Sequence, residues 1–337
     1  MQNGGVGWFL KIMRYWWVNH KQTFRQEFGG GYVWCPKRKK GGIRNHFYET
    51  MRVVQRGDVV LSYADAAVQG YGLARTHCYS CPRPDDFGKV GETWDESGWR
   101  VDVAFKRFPR SIRTADHTHL ITPLLPQKYS PIRENGYGNQ GAYLSEISEE
   151  LALFILQMAD PVAHELVCSD SLNEGAPLID NGLIALTEWE DLQQRRIISS
   201  EDIAETTRKS LVNARRGQGL FRDRVAMNEH ACRITKVRNP AHLIASHIKP
   251  WRESDNDERL SGGNGLLLTP SIDHLFDRGF ISFEDNGDLI VSPIADTVAL
   301  DKMGVKVNEH VKVGGFNVDQ KHFLHYHRDE ILLKSAM

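Results

Sequence analysis

A short stretch near the C-terminal end of the chain restricts the fold more than any other feature of the sequence. An apolar run ends at His247-Ile248, a polar loop follows, and Leu266–Leu268 forms a second apolar run introduced by Asn264-Gly265. Pro270-Ser271 then marks the start of a helix. Short apolar runs bounded by turn residues are typical of strands. The sequence therefore predicts a ββα unit, in which two short strands are followed by a helix.

Two carboxylates lie on one face of that predicted helix. Asp273 and Asp277 are four residues apart, and residues at this spacing are neighbours on a helix surface. A pair of carboxylates suits a hard cation such as Mg²⁺. Taken one at a time, the acids could reflect the acidic bias of a helix N-terminus, and His247 could be a core histidine. Those alternatives do not explain the order and spacing of all three residues.

Three motifs in this region resemble the HNH family of nucleases. They are Ser-His-Ile-Lys-Pro-Trp at 246–251, Asn-Gly-Leu-Leu-Leu at 264–268 and Leu-Phe-Asp-Arg-Gly at 275–279, and the resemblance extends from Leu220 to Phe283. It implies a ββα-metal fold that hydrolyses phosphodiester bonds. It also implies one divalent cation, Mg²⁺ or Mn²⁺, acting as a Lewis acid.

The resemblance assigns roles to individual residues as well. His247 matches the general base, which takes a proton from the attacking water. Asn264 matches the family's Asn, which would orient the loop carrying His247 or hold its ring by a hydrogen bond. Asp273 matches the first metal ligand on the helix, and Asp277 matches the second.

Some positions depart from the family pattern. Ser246 stands where the family often has an Asp or His that contributes to the metal, so its role as a ligand stays open. His274 lies on a neighbouring face of the helix and is a weaker candidate. Many family members hold a structural zinc through two Cys-x-x-Cys pairs, whereas this region has only Cys232. The pair Cys78 and Cys81 elsewhere supplies half of a tetrahedral site, and we predict no structural zinc.

Basic residues near the motifs are candidates for binding DNA phosphates. Each of them could equally be a solvated surface charge. Those around the ββα unit are Arg222, Arg224, Lys249, Arg252 and Arg278. A second group, Lys37, Arg38, Lys39 and Lys40, precedes two glycines in the first half of the chain. This loop could follow a phosphate backbone or be a charged hairpin tip.

The first half of the chain reads as short strands separated by turns. The predicted strands are Tyr15–Asn19, Tyr32–Trp34, Val59–Tyr63, Tyr71–Arg75 and Trp99–Phe105. Apolar spacing predicts helices over His46–Val54 and Leu144–Met158. Prolines and glycines then indicate a weakly structured connector, in which Leu183–Arg195 could form a helix. Two further helices are predicted over Ser200–Gly217 and Leu220–Glu229.

Parts of this first half resemble an EVE domain, a member of the PUA-like group of small β-barrels. The resemblance lies in Trp16–Asn19, Gly57–Tyr63 and Gly138–Gln140. It implies an aromatic pocket that receives a flipped base. The candidate pocket residues are Trp16, Trp17, Asn19, Trp34, Ser62, Tyr63, Asn139 and Gln140. Alternatively, the aromatic residues among them belong to the barrel core.

These observations together predict an α+β protein. Its parts would be a disordered extension over 1–12, a PUA-like (EVE) β-barrel-type domain over 13–158, a helical connector over 159–199 and a ββα-metal HNH domain over 200–337.

A reader domain joined to an HNH unit resembles the modification-dependent (type IV) restriction endonucleases. That resemblance implies double-stranded DNA carrying 5-methylcytosine or 5-hydroxymethylcytosine as the partner. Because one HNH site cuts one strand, cutting both strands would require a homodimer or two encounters. Two alternatives stay open. The first is an HNH nuclease whose first domain reads DNA sequence or structure, and the second is a nucleic-acid binding module with an inactive HNH unit.

Composition places few limits on this interpretation. The chain has 42 Lys and Arg against 43 Asp and Glu, so any basic DNA-binding surface must be local. No apolar run reaches the roughly 18 residues of a membrane span, and the N-terminus lacks the basic segment of a secretory signal. Five irregularly spaced cysteines fit a reducing cytoplasm. We therefore expect a cytoplasmic protein with no membrane partner.

Overall fold

The computed structural model describes residues 13–169, 181–307 and 309–334. The extension predicted over residues 1–12 lies outside the described residues. No helix in the described part of the chain is long and apolar enough to cross a bilayer.

A seven-stranded sheet organises the first half of the chain. Its strands are β1 (Tyr15–Asn19), β2 (Tyr32–Pro36), β3 (Val59–Ala64), β4 (Ala67–Ala74), β5 (Tyr79–Pro82), β6 (Ser97–Arg113) and β7 (Leu144–Ile147). They follow the order β2-β6-β4-β3-β1-β7, with β5 also paired to β6. The β1–β3 pair is parallel, and the other pairs are antiparallel. The predicted strand over Trp99–Phe105 is confirmed as part of the longer β6.

Both faces of this sheet are buried. Successive side chains of a strand point to opposite faces, so in β1 Tyr15 and Trp17 enter one apolar cluster and Trp16 and Val18 enter another. The helices of this half are α1 (Phe24–Gly30), α2 (His46–Glu49), α3 (Thr118–Ile121), α4 (Glu149–Ala159) and α5 (Pro161–Cys168). Helices α4 and α5 supply apolar residues to the cluster that contains Trp17.

The single helix predicted over Leu144–Met158 was wrong in its first turn. Residues Leu144–Ile147 form β7, which pairs with β1, and α4 starts only after Ser148. The Ser148 hydroxyl accepts a hydrogen bond from the Leu151 N–H at 3.2 Å, which satisfies one of the free donors of the first helical turn. The helix boundary therefore follows the capping serine and not the apolar spacing.

The second half begins with a long helix. The elements are α6 (Asn181–Ser199), α7 (Glu205–Arg215), α8 (Leu220–Asn228), β8 (Ile244–His247), α9 (Asn256–Leu260), β9 (Gly265–Leu268), α10 (Pro270–Asp277), β10 (Ile281–Phe283), β11 (Leu289–Val291), α11 (Thr297–Lys302) and α12 (Val318–Tyr326). The helix predicted over Leu183–Arg195 is confirmed within α6. With α5 and α6 present, the connector is more regular than the prolines and glycines indicated.

The predicted ββα unit is present in β8, β9 and α10. Strands β8 and β9 are antiparallel, with His247 opposite Gly265. A side chain could not replace the hydrogen of Gly265, because a Cβ there would lie 2.2 Å from Cγ2 of Val225. This close approach lets α8 pack against the strand pair.

Helix α6 connects the two halves physically. Its residues Leu186 and Trp189 are buried in one apolar cluster with Tyr32, Trp34 and Tyr79 of the first sheet. The end of the chain also packs against the first half, since Leu333 joins the cluster that contains Trp16.

Helix α10, the helix of the ββα unit, is anchored by a buried histidine, His327. The ring of His327 stacks on Phe276 at 3.9 Å between centroids. Its Nε2 lies 3.0 Å from the Phe276 carbonyl oxygen, and its Nδ1 lies 2.9 Å from the Ser282 hydroxyl. A carbonyl can only accept, so Nε2 carries the proton of the neutral ring. Burial lowers the pKa of His327 to about 4.

This lowered pKa predicts a loss of stability in acid. The folded state holds His327 neutral while the unfolded chain protonates it near its ordinary pKa, so the contribution is present at pH 7 and is lost as the pH falls toward 4. Between pH 7 and pH 5 this group should remove about 2 kcal/mol from the free energy of unfolding. Urea denaturation at several pH values would measure it. His327→Gln should lose less stability over that range, and an equal loss would contradict the assignment.

Candidate active site

His247 is the last residue of β8, and its ring is held on two sides. The ring lies face to face on Phe221 of α8, with centroids 3.8 Å apart and planes 3° from parallel. Its Nε2 lies 3.0 Å from the carbonyl oxygen of Arg259. Because that oxygen only accepts, Nε2 carries the proton of the neutral ring, and Nδ1 has the lone pair. His247 is therefore oriented to accept a proton at Nδ1.

The surroundings of His247 also keep its ring neutral. Burial lowers the pKa of His247 to about 4, and the nearby Arg259 guanidinium acts in the same direction, whereas Asp277 raises it. A neutral imidazole at pH 7 can take a proton from water. A phosphate anion brought next to the ring would raise this pKa toward the neutral range.

Asn264 is fully buried and holds the loop between β8 and β9. Its Oδ1 accepts from the Lys249 N–H at 2.7 Å. Its Nδ2 donates to the carbonyl oxygens of Lys249 and Glu258, both at 3.1 Å. The prediction offered two roles for this side chain, and these contacts match the one that orients the loop. The ring of His247 is held by Arg259 instead.

Asp273 and Ser246 meet at the N-terminal part of α10. The Ser246 hydroxyl is hydrogen-bonded to the Asp273 carboxylate. Burial raises the pKa of Asp273 to about 6, with a further contribution from Asp277, while the Ser246 hydrogen bond lowers it. A divalent cation would offset both the desolvation and the repulsion between the two carboxylates. Oxygen ligands of this kind fit Mg²⁺ or Mn²⁺.

Asp277 is engaged differently. Its Oδ1 lies 3.2 Å from Nη1 of Arg252, whose side chain is 3% exposed. Within the described residues, no group of three or more His, Cys, Asp or Glu side chains is arranged to hold a metal ion. His274 is exposed on α10. A cation on Asp273 and Ser246 would therefore compete with Arg252 for the Asp277 carboxylate.

Most of the basic residues predicted to bind phosphates near the ββα unit have internal partners. Arg222 donates to the carbonyls of Leu243 and Pro240, and Arg224 donates to the carbonyl of Leu260. These bonds give both guanidinium groups a structural role, because carbonyls at the ends of strands and helices need donors, and phosphate binding by these residues stays a prediction. Similarly, Lys249 is paired with Glu258 at 2.5 Å. Arg252 is buried against acids, and Arg278 lines a small cavity together with Asp277.

In the basic loop of the first half, two of the four charged side chains have internal partners and two are exposed. Lys37 forms a buried ion pair with Glu253 at 2.6 Å, and Arg38 pairs with Glu330. Lys39 and Lys40 are exposed. The position of the loop against the second half draws its first two charges inward.

A cavity of about 310 Å³ opens in the first half, beside the end of β2. Of the predicted pocket residues, Asn19 and Trp34 line it. The ring of Trp34 stacks with Trp94 at 6.0 Å between centroids. Trp94 lies in an irregular loop, so no periodic pattern marks it in the sequence. Further lining residues are His20, Lys21, Gln22, Thr23, Cys35, Pro36, Tyr48, Gly141, Ala142 and Tyr143.

A buried carboxylate organises one wall of this cavity. Glu27 is fully buried and accepts from the Thr23 hydroxyl at 2.6 Å and the Trp34 N–H at 2.8 Å. The Nδ1 of His20 lies 2.8 Å from the same carboxylate. Among the described residues, the buried Nε2 of His20 has no hydrogen-bond partner. Buried polar atoms without partners are uncommon in folded proteins, so this nitrogen is available to a bound group.

Six of the predicted pocket residues do not line the cavity. Trp16 and Trp17 are buried core residues, bonded to Asp58 and Asn19 respectively, because both faces of the sheet at β1 are covered. The remaining four are the buried Ser62, Tyr63 bonded to the Gly136 carbonyl, Asn139 bonded to the Ser130 carbonyl and the exposed Gln140. The alternative that these aromatics are core residues describes Trp16 and Trp17.

Comparison with known proteins places residues 232–284 in the family of HNH endonucleases. The matched segment contains His247, Asn264, Asp273 and Asp277. This part of the chain is therefore similar to HNH nuclease domains, a similarity that suggests DNA endonuclease activity, and HNH nucleases typically use a divalent metal ion.

Solved structures resemble the chain over less than half of its length. A hypothetical protein from Leishmania major is 17% identical, with 45% of this chain and 97% of that chain covered and a TM-score of 0.31. A protein from Pseudomonas syringae is 16% identical, with 43% and 98% covered and a TM-score of 0.30. A protein from Rhodopseudomonas palustris is 17% identical, with 44% and 95% covered and a TM-score of 0.28. No curated protein matches the chain.

Proposed function

We propose that this protein is a metal-dependent DNA endonuclease in which His247 is the general base. The observation that carries the proposal is a neutral imidazole, fixed through Nε2 by the Arg259 carbonyl and close enough to Asp277 for that carboxylate to raise its pKa. The residue before it, Ser246, is hydrogen-bonded to Asp273 on the same helix as Asp277. The match of residues 232–284 to HNH endonucleases supports it.

In this mechanism, Nδ1 of His247 takes a proton from the water that attacks phosphorus. Phe221 and the Arg259 carbonyl fix the ring, and Asn264 fixes the loop that carries Arg259. Asp273 and Ser246 would hold the divalent cation, with Asp277 joining them. When bound, that cation supplies Lewis-acid stabilisation of the charge that develops on the phosphate and the leaving oxygen.

The two helix carboxylates should differ in importance. Asp273→Asn should raise the Mn²⁺ concentration needed for half-maximal cleavage by about tenfold or more, because its carboxylate is engaged only by a neutral hydroxyl. Asp277→Asn should have a smaller effect, since a cation gains Asp277 only at the expense of the ion pair between Asp277 and Arg252. Cleavage rates across a Mn²⁺ titration would measure both, with the exposed Asp301→Asn as control. A larger effect at Asp277 would contradict the assignment.

We also propose that residues 13–158 form a reader of modified bases and that residues 200–337 form the cutting unit. The cavity beside Trp34 and Trp94 combines aromatic walls with polar groups, namely Asn19 and Nε2 of His20, which has no hydrogen-bond partner among the residues that the structure describes. Such a site suits a flipped base, which is held by stacking and by hydrogen bonds to its edge. The choice of modified cytosine rests on the resemblance of the whole arrangement to the modification-dependent restriction endonucleases.

Cleavage of matched plasmids tests the reader. Plasmids carrying 5-methylcytosine or 5-hydroxymethylcytosine should be cut about fivefold or more faster than unmodified plasmid, since one buried methyl contributes roughly 1 kcal/mol. Trp94→Ala should reduce this preference and leave cleavage of unmodified DNA in place. The exposed Tyr137→Ala serves as the control. Equal rates on all three plasmids would favour a first domain that reads sequence or DNA structure.

A further inference from the structure

A chain of buried ion pairs joins the first half to the candidate metal site. Lys37 directly follows β2, whose residues Trp34, Cys35 and Pro36 line the cavity. Its ammonium lies 2.6 Å from Oε2 of Glu253, and the two side chains are only 7% and 5% exposed. Glu253 is the neighbour of Arg252 in the loop between β8 and α9.

Arg252 is shared by three carboxylates. Its Nη1 lies 3.2 Å from Oδ1 of Asp277 and 3.3 Å from Oε1 of Glu190 on α6. Its Nε lies 4.0 Å from Oε1 of Glu253. This Nε and this Oε1 are both buried and without a hydrogen-bond partner in the described part of the chain. A small shift of Arg252 would join them, and such a bond would satisfy two buried polar atoms at once.

We propose that Arg252 keeps the Asp277 carboxylate from binding a cation, and that the ion pair of Lys37 with Glu253 keeps Arg252 in this position. We call this arrangement of Arg252 on Asp277 the latch. While Lys37 neutralises Glu253, Arg252 remains on Asp277. When a DNA phosphate attracts Lys37, Glu253 loses its cation and draws Nε of Arg252 toward itself. Asp277 is then released to a divalent cation. DNA on the basic loop therefore raises the metal affinity of the nuclease site, and by linkage the metal raises the affinity of the loop for DNA.

The latch rests on the proposed function, because it needs a cation at Asp273 and Asp277. The test is a titration of the full chain with Mn²⁺ in the absence of DNA. The electron paramagnetic resonance signal of free Mn²⁺ measures how much of the ion is bound. Lys37→Met should tighten Mn²⁺ binding about fivefold, which is a typical size for coupling between sites. Glu190→Gln should weaken Mn²⁺ binding by a similar factor. Glu190 then no longer competes with Asp277 for Arg252, so Arg252 stays on Asp277. Lys302→Met, at an exposed lysine of α11, should leave Mn²⁺ binding unchanged.

The opposite signs of the two substitutions keep the proposal falsifiable. If Lys37→Met loses its cooperative thermal transition, Glu190→Gln decides alone, because the Glu190 side chain is 26% exposed and tolerates the change better. Unchanged or tighter binding in Glu190→Gln overturns the latch. If Asp273→Asn abolishes Mn²⁺ binding while neither latch substitution alters it, the latch is wrong and the metal site stands. Mn²⁺ binding insensitive to Asp273→Asn overturns both.

Discussion

His247→Ala should lower the rate of DNA cleavage by about 10²–10⁴-fold, which is the usual contribution of a general base. DNA affinity should stay near that of the unaltered protein, because the imidazole acts on water and phosphate contacts come from other residues. Single-turnover cleavage of a labelled duplex measures the rate, and fluorescence anisotropy in Ca²⁺ measures binding. The exposed His242→Ala, five residues earlier in the chain, is a matched control. A His247→Ala protein that keeps more than about a tenth of the activity would remove His247 from the mechanism.

Asn264→Ala should strongly destabilise the loop between β8 and β9. Asn264 is fully buried, and its removal takes away the acceptor of the Lys249 N–H. The carbonyls of Lys249 and Glu258 each lose one donor and keep another, from Ser254 and Ser261. One unsatisfied buried group costs about 1–3 kcal/mol and the two other lost hydrogen bonds add a smaller amount, so the free energy of unfolding should fall by about 2–4 kcal/mol. Cleavage should fall as well, because the loop carries the Arg259 carbonyl that orients His247.

Urea denaturation and cleavage assays on the same preparations would test this. Asn264→Asp keeps the acceptor for Lys249 but places a buried carboxylate oxygen against the carbonyls of Lys249 and Glu258, so at pH 7 it should be at least as unstable as Asn264→Ala. The exposed Asn228→Ala should match the unaltered chain. If Asn264→Ala unfolded at the same urea concentration as the unaltered protein, Asn264 would not be the residue that holds this loop.

The local parts of the site could be predicted from the sequence. The boundaries of β8, β9 and α10 follow from short apolar runs, turn residues and the proline at the helix start, which are signals within a few residues of one another. The motif order then placed His247 and Asn264 on this unit.

What holds His247 in place has no local signal. Phe221 comes from a helix outside the motifs, and Arg259 contributes a backbone carbonyl, which any residue has. The sequence shows only that Arg252 is basic, whereas its burial between Glu190 and Asp277 depends on how α6 packs. Tertiary contacts therefore decided which charges stay on the surface.

In the first half, too, local sequence predicted individual strands, whereas tertiary packing decided which side chains face a cavity. Strand β1 was predicted with its observed ends, but which tryptophan faces a cavity depends on what covers each face of the sheet. Trp16 and Trp17 are core residues, while Trp94, which no pattern marks, stacks beside Trp34. Residues Leu144–Ile147 have spacing compatible with a helix, and only pairing with β1 makes them a strand.

The central proposal is that this chain cuts DNA with His247 as the general base and a metal ion held by Asp273. The most direct measurement is incubation of supercoiled plasmid carrying 5-methylcytosine with the purified full chain, in Mg²⁺ or Mn²⁺ and in parallel with EDTA. We expect nicked or linear plasmid with either ion and intact supercoiled plasmid with EDTA, while the thermal unfolding transition is the same in both. Intact plasmid with both ions, or equal cutting in EDTA, would contradict the claim.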